Sequence, residues 1–103
     1  MLIILSKSPS ATSYESILKI AEKSDGRGEK AAILHIQDAC IAVTMDDYCE
    51  RLAGARIDVY ALKADCEARG LLQKVGRGVI IVGYKEWVKL VVKERGSVIS
   101  WTS

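Results

Sequence analysis

The sequence predicts an α/β fold, as a single three-layer α/β/α domain over residues 1–103 with a mainly parallel five-stranded sheet. Two observations predict it. Apolar runs of strand length alternate with amphipathic stretches along the whole chain, and several of those runs, "MLIIL" and "VIIV" among them, carry almost no polar residue. Such runs are the mark of strands covered on both faces, which parallel sheets require. The length, 103 residues, leaves room for one domain of this kind.

The elements follow in order. "MLIIL" is the first strand. After "SKSPS", Tyr14, Ile17, Leu18 and Ala21 fall on one helical face. Thr12 and Glu15 have the spacing of a capping box, Ser8-Pro9 is an alternative start, and Asp25, Gly26 and Gly28 stop the helix. "KAAILHI" is the second strand, and "DACIAVTMDDYCERLAG" a broken helical connection ending at Gly54. "ARIDVYAL" is the third strand, "KADCEARG" a short helix ending at Gly70, and "GVIIVG" the fourth strand. "YKEWVKLVVKER" is the last helix, with Trp87, Leu90 and Val91 on its core face, and "SVISW" the fifth strand.

Composition narrows the function classes. Half the residues are hydrophobic, 27% are charged, and the formal net charge is +2, too small to argue for nucleic acid or an anionic membrane. "EKSDGRGEK" and "KERG" mix both signs and read as solvated ends. "MLIIL" is too short for the core of a signal peptide, and no run approaches a membrane span. A cytoplasmic protein is expected. Three cysteines without paired spacing make no disulfide framework, so free thiols are expected.

In open parallel sheets chemistry collects at the carboxyl ends of the strands. There the sequence places Ser6-Lys7-Ser8, the stretch from His35 to Cys40, and the stretch from Lys63 to Cys66. Cys40 and Cys66 each fall in the first turn of a predicted helix, where free N–H groups favour a thiolate. Lys63 and Arg69 assist ionisation of Cys66, while Asp65 and Glu67 oppose it. The competing reading is that both cysteines are small apolar residues packing a helix on the sheet. Cys49, inside a helical segment, reads as core, and His35 as half-buried at a strand end.

No metal site is expected, because no C-x-x-C or H-x-x-x-H pair occurs. The glycines of "GRGVIIVG" flank a strand instead of joining a strand to a helix, so no dinucleotide fingerprint is present. A single histidine supports no Ser-His-Asp arrangement. Trp87 reads as core, and Trp101 as core or interface.

Taken together, "MLIILSKSP", "ILHIQDACIA", "VYALKADCEARG" and "VGYKEWVKLVVK…ISW" resemble, in order and nearly end to end, the TusB/DsrH family of sulfur-relay proteins in the DsrE/DsrF/DsrH-like superfamily. The resemblance implies a complex with paralogous DsrE/TusD-like and DsrF/TusC-like subunits and an upstream sulfur-carrier protein. It implies persulfide sulfur passed between cysteine thiolates toward 2-thiouridine at the tRNA wobble position, or, in another branch, dissimilatory sulfur metabolism. It implies no cofactor and no direct contact with nucleic acid or membrane. The acceptor cysteine of the DsrE/TusD-like partner corresponds here to Leu62, and a first-helix cysteine of some DsrH proteins to Ile17. The expected role is therefore a non-catalytic subunit. The alternatives are a sulfur carrier using Cys66 or Cys40, or a small-ligand module at the strand ends. Gln37, Asp38 and Trp101 are the expected partner-interface residues, and a homo-oligomer is a further expectation.

Overall fold

The structure, a computed structural model, describes residues 1–8, 14–26, 30–94 and 97–101. Strands β1 (Leu2–Leu5), β2 (Ala32–His35), β3 (Asp58–Leu62), β4 (Val79–Val82) and β5 (Val98–Trp101) form one sheet in the order β4-β3-β2-β1-β5. Every pairing is parallel. Strand β1 is an interior strand, between β2 and β5, and all four of its residues are apolar and buried.

The period-2 alternation of each strand divides the core between the faces. Ile3, Leu5, Ile33, Val59 and Ala61 point to one face, where α1 (Tyr14–Gly26), the 3-10 segment Gln37–Thr44, α2 (Asp46–Gly54) and α3 (Lys63–Ala68) pack. Leu2, Ile4, Ala32, Leu34 and Val82 point to the other, covered by α4 (Tyr84–Lys93) through Trp87, Leu90 and Val91. These are the three predicted layers, and their covering is uneven.

The helical face read from the sequence is the buried one: Tyr14, Ile17, Leu18 and Ala21 all lie in the core. Thr12 and Pro9, proposed as starts of that helix, lie outside the described residues. The broken connection resolves into the 3-10 segment Gln37–Thr44 followed by α2.

The third strand begins later than "ARIDVYAL" suggests, because residues 55–57 close α2. Arg56 adopts a left-handed φ of 59°. Its N–H donates to Ala53 O at 3.1 Å and the N–H of Ile57 to Leu52 O at 3.0 Å, the paired bonds of a Schellman ending. The same motif closes α3: Gly70 has φ 65°, its N–H donates to Glu67 O at 3.0 Å, and the N–H of Leu71 to Cys66 O at 2.8 Å.

Candidate functional site

β2 and β3 are neighbours, so the segments leaving their carboxyl ends meet. The 3-10 segment after β2 and helix α3 after β3 are joined in three layers. At the surface, Arg69 Nη2 donates to Asp38 Oδ1 at 3.3 Å. Below it, the Gln37 N–H donates to Asp65 Oδ2 at 2.7 Å, an anchor for the left-handed backbone of Gln37 (φ 49°). Deepest, the Cys40 and Cys66 thiols are buried near enough to influence each other's ionisation, and Cys40 Sγ donates to His35 O at 3.5 Å.

The structure thus brings together four of the five residues singled out from sequence. It splits them by depth: Gln37 and Asp38 are exposed, while Cys40 and Cys66 are fully buried. Trp101 stands apart at the end of β5, partly buried against the core of the α1 face, with its carbonyl accepting from the Ser6 N–H at 3.3 Å.

Neither thiol has the environment of a nucleophile. Burial pushes Cys40 up to about 12, reinforced by neighbouring Cys66. Burial also raises Cys66, and the nearby Asp65 adds to the rise. The cations expected to assist are already engaged: Lys63 Nζ is 3.8 Å from Glu67 and Arg69 is held by Asp38. The third thiol, Cys49, is buried, raised by burial, and donates to Val43 O at 3.4 Å.

The two Schellman endings explain Cys66 locally. In α2 the residue whose carbonyl takes the last bond is Leu52, packed in the same core as Ile57. In α3 the equivalent pair is Cys66 and Leu71, and Cys66 occupies the apolar place that Leu52 fills. Leu62, where the resemblance locates the acceptor cysteine of a partner, ends β3 as a buried apolar residue, and Ile17 is buried on α1.

His35 corrects the reading of a half-buried strand-end residue: it is fully buried. Two polar partners make that burial tolerable. Nδ1 faces the Tyr60 carbonyl at 2.9 Å, which only accepts, so Nδ1 carries the proton. Nε2 then accepts from the Tyr48 hydroxyl at 2.7 Å. Burial lowers His35 to about 4, keeping it neutral. With both ring nitrogens engaged it is no ligand for a metal beside Cys40, and among the described residues no cluster of three or more His, Cys, Asp or Glu assembles. The role of Tyr48 escaped the sequence reading. Its only signal was a lone histidine at the end of an apolar strand, which needs a hydrogen-bonding partner from somewhere.

A concavity of about 610 Å³ lies by the end of α3, lined by Glu67, Gly70, Leu72, Gln73 and Lys74, and neither Cys40 nor Cys66 opens onto it. Among the described residues no helix is long and apolar enough to cross a membrane.

An all-parallel five-stranded sheet, with helical segments meeting beyond β2 and β3, defines a class of α/β protein seen in solved structures. The crystal structure of the ychN protein from Escherichia coli matches with a TM-score of 0.78 at 17% identity, over 97% of each chain. A conserved protein of unknown function from Bacteroides thetaiotaomicron matches with a TM-score of 0.79 at 16% identity, over 97% of this chain and 92% of the other.

Sequence comparison is more specific. The family model described as DsrH like protein matches residues 7–97, and the chain belongs to the DsrH family. Protein TusB of Pectobacterium atrosepticum is 34% identical over 94 residues, covering 90% of this chain and 93% of that protein. Protein TusB of Escherichia coli is 35% identical over the same shares, and that of Shigella dysenteriae 34% identical over 98% of this chain and 100% of its own length. This membership supports reading the chain as a sulfur-relay subunit.

Proposed function

We propose that this chain is a non-catalytic subunit of a cytoplasmic sulfur-relay complex, with the sulfur carried by thiols of its paralogous DsrE/TusD-like and DsrF/TusC-like partners. The relay passes persulfide sulfur from an upstream carrier toward 2-thiouridine at the tRNA wobble position. In each transfer an acceptor thiolate attacks the terminal sulfur of a donor persulfide. The new S–S bond forms as the old one breaks, and the donor leaves as a thiolate, so no metal or external oxidant is consumed.

Such a step needs an accessible thiol that ionises near neutral pH. The observation that carries the proposal is that Cys40, Cys49 and Cys66 are all buried and all shifted the other way. Gln37 and Asp38, exposed on the rim above the buried pair, are the proposed partner-facing residues, with Trp101 apart from them at the end of β5, two strands from β2.

The test is intact-protein mass spectrometry of the folded chain after incubation with a small persulfide donor, followed by peptide mapping. The expected result is no reducible gain of sulfur on any cysteine. A gain of one sulfur atom on Cys66 or Cys40, reversed by reductant, overturns the scaffold role and makes this chain a carrier.

A further inference from the structure

The pairing of β2 with β3 brings two thiols that the proposed relay does not use to one place. His35 and Ala61 are Cα partners in that parallel pairing, and Cys40 and Cys66 each follow five residues after one of them. Neighbouring strands lie ~4.8 Å apart and a disulfide spans Cα atoms about 4.4–6.8 Å apart, so the two segments set out at a separation a disulfide can bridge. Two polar ties keep them from diverging: the Gln37 N–H on Asp65 Oδ2 at 2.7 Å, and Arg69 Nη2 on Asp38 Oδ1 at 3.3 Å. Both cysteines pack in the same core, both are 0% exposed, and each thiol alters the ionisation of the other.

Cys49 is held apart from this pair. Its Sγ donates to Val43 O at 3.4 Å, and Gly76 packs so closely that a Cβ added there would meet that sulfur at 2.9 Å. It lines a separate concavity with Asp46, Glu50 and Arg77. The third thiol is thus an internal control for the other two.

We infer that Cys40 and Cys66 form a redox latch: a low-molecular-weight disulfide oxidises them to an intramolecular disulfide that ties the segment after β2 to the segment after β3. One protein thiolate attacks the small disulfide, forming a mixed disulfide and releasing a small thiolate. The second protein thiolate attacks the protein sulfur of that intermediate, forming the Cys40–Cys66 bond and releasing the second small thiolate. The two protons given up by the cysteines go to the leaving thiolates. The protein is oxidised by two electrons and the small disulfide is reduced. Both thiols are buried and hard to ionise, so exchange proceeds through local opening of the six-residue α3 and is slow in both directions. The latch therefore answers a lasting change in thiol–disulfide balance and ignores a brief one. It closes directly beneath the Gln37–Asp65 and Asp38–Arg69 contacts and holds that rim in one arrangement. This inference is independent of whether any thiol carries sulfur.

The test is equilibration of the full chain in glutathione buffers of stepped disulfide-to-thiol ratio, then acid quenching, alkylation and peptide mapping without reduction. The expected product has lost two hydrogen atoms, joins the peptide of Cys40 to that of Cys66, and leaves Cys49 alkylated. The folded chain should reach half-oxidation at a ratio roughly tenfold or more below that needed by the chain unfolded in urea, because the fold holds the two thiols together. The denaturant midpoint of the oxidised chain should rise with it. Cys49→Ala should keep the cross-link and the rise, while Cys40→Ala, shown to fold by circular dichroism, should lose both. Thiols that stay reduced at ratios that oxidise the unfolded chain overturn the inference. So do a cross-link through Cys49, glutathione adducts or intermolecular disulfides alone, or a lowered midpoint after oxidation.

Discussion

Cys66 is explained by its neighbours more than by its own chemistry. It packs in the core with Leu71 while its carbonyl closes α3. Replacing it with alanine removes buried apolar volume and should cost about 1–2 kcal/mol. Serine should cost more than alanine, because it puts a hydroxyl in the same apolar place. Urea titration of both variants checks the order, and a serine variant as stable as the parent would refute it. His35 makes a sharper prediction. Its pKa is lowered from 6.5 to about 4, so above pH 6.5 folded and unfolded chains are both neutral there and its contribution to stability is complete. As pH falls below 6.5 the unfolded chain takes up a proton that the fold excludes, and stability declines by about 1.4 kcal/mol per pH unit until the folded value is reached. The carboxylates Glu15 and Glu22 are lowered from 4.5 by Arg51, so they add to the loss only at lower pH. Denaturant midpoints between pH 7 and about 5.5, above the onset of carboxylate protonation, therefore isolate His35, and a flat profile across that window would contradict its buried neutral state. The sequence showed where these residues sit but not how deep. Strand-end position can be read from apolar runs, whereas the Cys40–Cys66 approach and the Tyr48 hydroxyl depend on segments that meet only when β2 and β3 pair.

The two Schellman endings form a controlled pair at the level of the element. Gly70 meets its left-handed φ at no steric cost, and a Cβ added there would find nothing within 4 Å. Gly70→Ala should therefore destabilise by about 1 kcal/mol through backbone strain alone. Arg56 holds the equivalent conformation with a full side chain, so Arg56→Gly should be neutral to stabilising, by up to about 1 kcal/mol. Thermal unfolding of the two variants checks the opposite signs, and a shift in the same direction for both would remove the argument. The contrast also marks what was legible. Glycine announced the end of α3, while nothing in "LAGARI" announced that α2 would be closed by arginine, so the third strand was read as starting at Ala55 when it starts at Asp58. Helix α1 was readable because a four-residue apolar face is a local signal. Between α1 and α2, Arg51 reaches Glu15 and Glu22, each at 2.9 Å, a tie that no local pattern reveals.

Across the whole molecule, the sheet order was the part least accessible to pattern reading. Alternation of strands and helices gives a parallel sheet, but it does not say that the chain, having built outward from β1 through β2 and β3 to β4, returns across the sheet to set β5 on the far side of β1. That return brings the N-terminal amine of Met1 to within 3.4 Å of Glu94, and the N–H of Leu2 donates to Ser97 O at 2.9 Å. It also fixes an order of events during synthesis. β5 leaves the ribosome after every other strand, so the growing chain can assemble β1 to β4 while one side of Leu2–Leu5 has no strand to pair with. This wholly apolar, wholly buried strand is then a temporary sheet margin, open to any extended peptide nearby. Protecting that margin falls to whatever binds the nascent chain, until its own last strand arrives to close it.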